Sequence, residues 1–258
     1  MLKTKICCLV LGFFCQFQLQ AEVATEASTQ QSWQVSAQLT VKQLAPGLWL
    51  HTSFRQLSPD LRFSSNGLLL KQKNEIWLID TAWGESATAE LLAWIKTELK
   101  LPVTKAIATH YHDDRTGGAM TLLQQQIPLF SSQQTRLLSI SQNIPLPQSF
   151  GALQPGDSKD LGSEVEIFYP GPGHSHDNLV VYLKEHQLLF GGCAVKAPQF
   201  AGLGNIADAD LTHWPLALQR VQQRYTEAKI VVPGHGEPGD LTLLSYSLSL
   251  FSADAKED

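Results

Sequence analysis

The chain has 258 residues, of which 43% are hydrophobic and 17% charged, and its formal net charge at pH 7 is −5. This length and composition fit one globular domain with a substantial core. The acidic balance excludes a basic nucleic-acid-binding surface, and beyond the N-terminus no apolar run reaches the roughly 18 residues that a membrane helix needs. We therefore expect neither a nucleic-acid partner nor stable membrane insertion.

The first 21 residues have the features of an export signal. Lys3 and Lys5 precede an apolar run from residue 6 to 17, and Leu19-Gln20-Ala21 resembles a cleavage site. We expect residues 1–21 to be a signal peptide that directs the protein to the periplasm. A buried first helix is the alternative interpretation.

The positions of the four cysteines follow from this interpretation. Cys7, Cys8 and Cys15 lie in the predicted signal, so the mature chain keeps only Cys193. An exported protein with one cysteine cannot form an internal disulfide. A lone thiol in an oxidising compartment is a liability unless it is buried or bound, which makes Cys193 a candidate metal ligand.

Strands and helices alternate along the rest of the chain. Residues 22–40 are interpreted as a polar N-terminal leader, and residues 41–258 as the folded domain. Apolar patterning predicts strands at 47–51, 67–71, 75–80, 103–109, 129–130, 164–169, 179–183, 187–190 and 230–232. It predicts helices at 87–99, 117–126, 132–141, 208–225 and 241–251. This order indicates an α/β fold with two sheets packed face to face and helices outside.

One connection in this pattern has apolar residues where a surface loop is normally polar. The segment Ser53 to Ser65 lies between the first two predicted strands and contains Phe54, Leu57, Leu61 and Phe63. It predicts either a mobile hairpin loop with apolar tips or an ordinary packed connection.

The strongest chemical signal is the run His110-Tyr111-His112-Asp113-Asp114, which follows the predicted strand 103–109. His174, Cys193 and His235 each lie in or beside a glycine-rich turn after an apolar strand. Taken singly, each has an ordinary explanation as a polar loop, a turn residue or a small buried side chain. Together they are too many for one tetrahedral zinc, and they fit two zinc ions that each keep an open position.

A division into two sets of three ligands explains the chemistry. His110, His112 and His174 are neutral ligands, and a zinc ion held by three imidazoles lowers the pKa of bound water to about 7. Asp114, Cys193 and His235 carry two negative charges and suit a second zinc that accepts an anionic leaving group. The remaining positive charge favours an anionic substrate.

These residues resemble the class B metallo-β-lactamases, in particular the di-zinc subclass that includes the VIM and IMP types. The resemblance covers nearly the whole mature chain. The matching segments are 65–67, 78–81, 109–118, 171–178, 191–196, 203–210 and 232–236. It implies an αββα sandwich of two mixed sheets with the metal ions at one edge, and zinc-dependent hydrolysis of the amide bond of penicillins, cephalosporins and carbapenems, which confers antibiotic resistance.

The resemblance also implies roles for individual residues. Lys196 would pair with the substrate carboxylate and Asn205 would assist at the lactam carbonyl; with Asp114 they form the expected catalytic set. Trp83 and Phe54 are expected to contact the substrate, with the Ser53–Ser65 segment as a flap. Arg115 and Asp80 match positions that orient metal ligands. We expect a monomer that acts on a small-molecule β-lactam.

Two other classes of function compete with this one. The same superfamily supports thioester hydrolysis of the glyoxalase II kind, and lactone and phosphodiester hydrolysis, but those enzymes typically have histidine at the Arg115 position and aspartate at the Cys193 position. An exported zinc-buffering protein would have closed sites with four protein ligands for each ion. Six ligands divided three and three favour open, catalytic sites.

Overall fold

The computed structural model describes residues 31–145 and 147–253. The predicted signal peptide, residues 1–21, lies outside these described residues, as does the first part of the predicted leader. In the described ranges, none of the helices has the length and apolar character that a membrane crossing requires.

Sheet 1 is formed by the first eight strands of the described chain, which lie side by side in sequence order. Neighbours are antiparallel from β1 to β5 and parallel from β5 to β8. The strands are β1 (Ser32–Ser36), β2 (Leu39–Ala45), β3 (Leu48–Ser58), β4 (Leu61–Gln72), β5 (Glu75–Ile79), β6 (Val103–Ile107), β7 (Leu129–Ser131) and β8 (Gln148–Ser149).

Sheet 2 is formed by the remaining described strands in the order β13-β12-β11-β10-β9. Its pairs are antiparallel except β12 with β13, which are parallel and connected through a helix. The strands are β9 (Ser158–Leu161), β10 (Val165–Phe168), β11 (Val180–Leu183), β12 (Leu188–Gly192) and β13 (Ile230–Pro233).

Helices cover the outer faces of both sheets. They are α1 (Glu85–Trp94), which continues as a π-helical turn over Ile95–Leu99, α2 (Asp113–Thr116), α3 (Ala119–Gln124), α4 (Gln133–Ser141), α5 (Trp214–Arg224) and α6 (Thr242–Ala253). Leu91 of α1 and Leu122 of α3 pack on sheet 1, whereas Leu218 of α5 and Leu244 of α6 pack on sheet 2.

The alternation of side chains along β4 shows why the fold has four layers. Leu68 and Leu70 face the core between the two sheets, and Leu69 between them faces the helices. All three are fully buried, so this strand is apolar on both faces. Burying a leucine side chain contributes about 1.5–3 kcal/mol, and this gain is repeated along both sheets. The predicted αββα sandwich is confirmed.

The folded domain begins earlier in the chain than the sequence predicted. The leader was expected to extend to residue 40, but β1 and the start of β2 lie within it. The ring centroids of Trp33 in β1 and Trp94 in α1 lie 5.2 Å apart, and Leu39 in β2 is fully buried. The segment is polar in composition because an edge strand packs only one face against the core.

The Ser53–Ser65 segment is a β-hairpin, as the first of the two interpretations expected, with a register shift between Gln56 and Ser58. Strands β3 and β4 pair from Leu48 with Leu70 to Ser58 with Leu61, and the turn is at residues 59–60. Helix α5 also differs from the prediction, since it begins at Trp214 and not at residue 208. Asp210 accepts hydrogen bonds from the His213 backbone N–H and imidazole, which keeps the preceding residues in a loop.

Candidate metal centre

The structure brings all six predicted ligand side chains to one end of the sandwich. Each follows the end of a strand: the histidine and aspartate run follows β6, and the other three ligands follow β10, β12 and β13. Backbone hydrogen bonds join these loops across the two sheets. Leu179 N–H donates to the Thr109 carbonyl, and Asn66 N–H of β4 donates to the Gly234 carbonyl. Each loop therefore has a fixed position relative to the others.

The first set of ligands is a triangle of imidazoles. His112 Nδ1 lies 3.2 Å from His174 Nε2. The His110 ring centroid is 4.8 Å from that of His112 and 5.2 Å from that of His174. Burial lowers the pKa of His110 and of His174 well below the ordinary value, so both rings are neutral, which is the form that binds zinc.

The ligand atoms of the second set, Asp114, Cys193 and His235, form a triangle with nearly equal sides. Cys193 Sγ lies 3.4 Å from Asp114 Oδ2 and 3.2 Å from His235 Nε2. His235 Nε2 lies 3.3 Å from Asp114 Oδ2. Tetrahedral zinc with bonds of about 2.0–2.3 Å places its ligand atoms roughly 3.3–3.8 Å apart. The spacing of this set therefore fits one zinc ion.

The two sets adjoin. The ligand atoms of His110, His174 and Cys193 lie within 4.8 Å of one another, as do those of His110, His112 and Asp114. His110 Nε2 is buried and has no hydrogen-bond partner among the described residues. A buried imidazole nitrogen without a partner is costly unless a ligand occupies it. The donor set and this orphaned atom both fit zinc.

Arg115 contacts two ligands of the second set, Asp114 and Cys193, and holds them in position. Its fully buried guanidinium donates from Nη2 to Cys193 Sγ and forms an ion pair with Asp114 Oδ2, both at 2.9 Å. It also donates to the Asn66 and Gly234 carbonyl oxygens. Although burial opposes ionisation, Arg115 and His235 hold the pKa of Asp114 well below its usual range. Asp114 is therefore ionised and available to a cation.

Asp80 stabilises the loop that carries His110 and His112, and it also contacts Arg115. Its carboxylate accepts hydrogen bonds from the Thr109 N–H at 2.7 Å and the Thr109 hydroxyl at 2.8 Å. Burial raises the pKa of Asp80 to about 7, against the opposing effect of Arg115. Asp80 also has a φ of +59°, which is uncommon for a residue other than glycine. Its left-handed backbone turns the chain at the end of β5, directly beneath the ligands.

Two further hydrogen bonds orient ligand imidazoles. His112 Nε2 lies 3.0 Å from Asp208 Oδ2, which leaves Nδ1 for the metal. His235 Nδ1 lies 2.5 Å from the Ser64 carbonyl oxygen, which leaves Nε2 for the metal. Burial lowers the pKa of His235, but Cys193 and Asp114 outweigh burial and raise the pKa to about 9. Without metal, His235 carries the proton that a zinc ion must displace.

Gly234 is required by the close approach of these groups. A Cβ at this position would lie 2.8 Å from Cys193 Sγ and 2.7 Å from Arg115 Nη2. Any side chain would therefore displace Cys193 of the second set or the Arg115 guanidinium that contacts it. The Gly234 Cα packs against the Cys193 thiol, which explains why the residue before His235 is glycine.

An open cavity of about 680 Å³ lies over the ligands. It is lined by Trp83, Lys196 and Asn205, which the sequence predicted as substrate-contacting residues. The Lys196 ammonium lies 5.0 Å from the Trp214 ring centroid, and burial lowers its pKa. The Asn205 side-chain oxygen Oδ1 accepts a hydrogen bond from the Ala207 N–H, so the side-chain N–H₂ is the group left to face a ligand.

The prediction for Phe54 was wrong. Phe54 does not line the cavity; its ring packs under the Arg62 guanidinium at 4.2 Å on the outer face of the hairpin. The cavity face is formed by Leu57, Leu61 and Phe63. Side chains on a strand alternate between faces, so an error of one residue places the wrong aromatic ring over the site.

The cavity residues that the sequence did not predict as site residues include Tyr111, Asp208, Phe63 and Phe200. Tyr111 and Phe63 lie inside motifs that the sequence did single out, so their positions were a usable signal. Asp208 lies 96 residues after His112 in the chain. Only the folded structure reveals that pair.

Comparison with known proteins agrees with the fold. Residues 61–235 match the family model of the metallo-β-lactamase superfamily. A metallo-β-lactamase type 2 from Bacillus cereus is 35% identical over 97% of this chain and 98% of its own. A metallo-β-lactamase structure from Pontibacter korlensis is 44% identical, with a TM-score of 0.77 over 83% of this chain and 99% of that one. The metallo-β-lactamase FIM-1 from Pseudomonas aeruginosa, in its mono-zinc form, is 33% identical with a TM-score of 0.79 over 86% and 99%.

The fold, the group of possible metal ligands and this similarity define a zinc hydrolase of the αββα class. The chain belongs to the metallo-β-lactamase family, and the resemblance seen in its motifs is confirmed.

Proposed function

We propose that this enzyme hydrolyses the amide bond of β-lactam antibiotics with zinc, acting on penicillins, cephalosporins and carbapenems and so conferring resistance. The observation that carries this proposal is the clustering of six possible ligands beside one open cavity, which four of them line: His112, Asp114, His174 and His235. A closed, four-ligand site would suit zinc storage, whereas three ligands for each ion leave room for solvent and substrate.

We further propose two zinc ions for each chain. His110, His112 and His174 would hold one ion, and Asp114, Cys193 and His235 the other. When bound, zinc in such sites supplies a water nucleophile at neutral pH and polarises the carbonyl that it attacks. The spacing of the second set and the orphaned nitrogen of His110 support this assignment.

The residues of the cavity would bind and orient the substrate. The Lys196 ammonium would pair with the carboxylate that β-lactams carry beside the scissile bond. The Asn205 amide would donate a hydrogen bond to the lactam carbonyl as negative charge develops on its oxygen. Trp83 would provide an apolar wall on the hairpin side. Asp208 and Arg115 would keep ligands in place without touching the substrate.

The site of action and the assembly are part of the same proposal. Residues 1–21 would be removed as a signal peptide, and the mature enzyme would act in the periplasm as a monomer. The basic start and apolar run of this segment support export. The folded domain would start at β1, within the predicted leader.

Zinc analysis and hydrolysis of a chromogenic cephalosporin test the function together. The purified protein is expected to bind two zinc ions for each chain, to lose activity with a chelator and to regain it when zinc is added. Cys193→Ser should reduce the zinc content towards one ion and lower kcat, because it removes the thiolate of the second set. His213→Ala is the matched control, since His213 is an exposed histidine outside the cavity.

Three results would each contradict a part of the proposal. Full activity in zinc-free protein would refute the role of zinc. Unchanged zinc content and rate in Cys193→Ser would refute the second set. Two bound zinc ions without hydrolysis of any β-lactam would leave a zinc-binding protein and refute the proposed substrate.

A further inference from the structure

A buried histidine lies outside both sets of ligands. His51 is on β3 and is fully buried, and burial lowers its pKa to about 3, so the ring is neutral. Its Nε2 lies 3.2 Å from the Asp80 carbonyl oxygen. A carbonyl oxygen can only accept a hydrogen bond, so Nε2 carries the proton and donates it. His51 therefore binds the backbone of the residue whose carboxylate stabilises the histidine loop.

The imidazole reaches Asp80 across the neighbouring strand. His51 of β3 is paired with Gly67 of β4, and β4 separates β3 from β5, at whose end Asp80 lies. A Cβ at position 67 would lie 2.5 Å from His51 Cε1 and 2.6 Å from the Ile79 carbonyl oxygen. Glycine at this position thus leaves the space through which the ring contacts the end of β5.

Asp80 is held at each of its polar groups. Its N–H donates to the Ile107 carbonyl at 2.8 Å, its carboxylate accepts from Thr109, and its carbonyl accepts from His51. The φ of +59° places Asp80 in the left-handed region, which a residue other than glycine keeps only where the surrounding contacts over-determine it. The bond from His51 is one of the contacts that maintain this conformation.

Loss of the His51 bond would act on the peptide group between Asp80 and Thr81. The N–H of this group, from Thr81, would still donate to the Arg115 carbonyl at 3.0 Å, but the carbonyl would lose the imidazole. A peptide group with one anchor instead of two can turn, and turning it changes the direction of the Asp80 side chain. The hydrogen bonds that end on the Asp80 carboxylate would then weaken.

Packing alone does not explain a histidine at position 51. Its Nδ1 is buried and has no hydrogen-bond partner among the described residues. An unpaired buried acceptor is unfavourable, and an apolar side chain of similar size would avoid this cost. The donor that His51 presents to Asp80 is therefore the feature that distinguishes it from a leucine.

The first set of ligands depends on Asp80 more directly than the second set does. Thr109, which donates to the Asp80 carboxylate at 2.7 Å and 2.8 Å, directly precedes His110 in the chain. Arg115, which contacts the second set, lies 3.4 Å from the same carboxylate but is also held by two backbone carbonyls. A displaced Asp80 should therefore weaken the first set and affect the second set less.

We propose that His51 is a positioning residue for the first zinc ion: its Nε2–H fixes the turn at Asp80, and the Asp80 carboxylate in turn fixes the loop that carries His110 and His112. This inference rests on the zinc ligands of the proposed function. Removing a group that orients metal ligands typically lowers metal affinity by about 10–100-fold. Because His51 acts through Asp80, we expect the lower end of this range.

The first test measures the zinc affinity of the first set by competition with a chromophoric chelator. It uses the Cys193→Ser background, in which the second set is disabled. His51→Leu and His51→Asn both remove the donor to Asp80 and should each weaken zinc binding by about 10-fold. His51→Gln keeps an N–H at nearly the position of Nε2 and should restore most of the affinity. If one of the two donor-free variants does not fold, the other provides the comparison.

The second test uses zinc-free protein and follows amide hydrogen exchange by NMR. The Thr109 N–H, which donates to Asp80, is compared with the Val181 N–H, which lies in the centre of sheet 2. His51→Leu should accelerate exchange at Thr109 relative to Val181, by up to about 10-fold for the loss of one hydrogen bond. A general loss of stability would instead accelerate both amides equally.

His186→Leu is the matched control. The His186 imidazole also contacts a backbone carbonyl, that of Pro46 at 3.3 Å, and it pairs with Glu164 away from the residues that line the cavity. Its replacement removes a similar contact that leads to none of the ligands. The zinc affinity of the first set and the ratio of the two exchange rates should both equal those of the chain with His186.

The outcomes separate this inference from the function on which it rests. Unchanged zinc affinity in the donor-free variants, or equal acceleration of the two amides, would make His51 a packing residue and overturn the inference alone. The same loss in His51→Gln as in His51→Leu would also overturn it, because the donor would then not matter. A protein that binds no zinc with His51 in place would overturn the proposed function and the inference with it. Zinc binding that depends on His51 without hydrolysis of any β-lactam would overturn only the proposed substrate.

Discussion

Replacing Arg115 with alanine should destabilise the zinc-free protein severely. The guanidinium is fully buried, and it contacts two ionisable ligand groups, two backbone carbonyls and, at 3.4 Å, the Asp80 carboxylate. Breaking a buried ion pair by removing one partner costs about 3–5 kcal/mol, because the other charge stays buried and unpaired. For a domain of this size the loss corresponds to roughly 6–20 °C in Tm.

The size of the loss depends on what else neutralises Asp114 and Cys193. When zinc occupies the second set, the ion replaces part of the lost positive charge, so the deficit of Arg115→Ala should be smaller in zinc-saturated protein than in zinc-free protein. Arg115→Lys should fall between the alanine variant and the unaltered chain, because lysine keeps the charge but cannot reproduce the fork of donors.

Urea unfolding at 25 °C, with and without zinc, provides the measurement. Arg224→Ala is the control: its guanidinium donates to Glu166 at 2.9 Å but is 38% exposed, and a surface pair of this kind contributes about 0–1 kcal/mol. A zinc-free deficit for Arg115→Ala below about 1 kcal/mol, or one equal to that of the control, would show that the buried guanidinium does not hold the ligands together.

Two further predictions concern Asp80 and Lys196. Burial raises the pKa of Asp80 to about 7, so the folded state binds its proton more tightly than the unfolded state, and this contribution to the free energy of unfolding falls as pH rises from about 4 to 7. In zinc-free protein the free energy of unfolding relative to Asp80→Asn should therefore decrease across this window by at most about 1.4 kcal/mol per pH unit, and a flat difference in urea titrations would contradict the assigned pKa. Lys196→Ala should raise KM for carboxylate-bearing β-lactams several-fold with a smaller change in kcat, and steady-state kinetics with an unchanged kcat/KM would place Lys196 outside substrate binding.

The ligand side chains were predictable because their signal is local. His174, Cys193 and His235 each follow an apolar strand through a glycine turn, and strand ends held by a rigid scaffold converge on one edge. The pairing of His112 with Asp208 was not predictable in the same way, because the two residues are far apart in the chain and lie in different loops.

The errors at the hairpin and the leader have separate physical causes. Composition revealed the apolar residues of the hairpin, but the face that each occupies depends on its position along β3 or β4, which places Phe63 and not Phe54 over the cavity. The leader was assigned from its polar composition, although backbone pairing with β2 and the contact of Trp33 with Trp94 attach β1 as an edge strand. In both places tertiary packing, which composition does not reveal, determines the structure: the face that each hairpin residue occupies and the residue at which the folded domain begins.

The origin of the ligands in the two sheets has a consequence for the lifetime of the enzyme. In each set of three, the loop after β6 in sheet 1 and loops from sheet 2 both supply ligands. A bound ion would therefore clamp the halves of the sandwich, and at a free zinc concentration 100 times its dissociation constant each such site adds about 2.7 kcal/mol to folding stability. Zinc starvation of the surrounding compartment would then lower the abundance of the enzyme through proteolysis, in addition to silencing the molecules that survive.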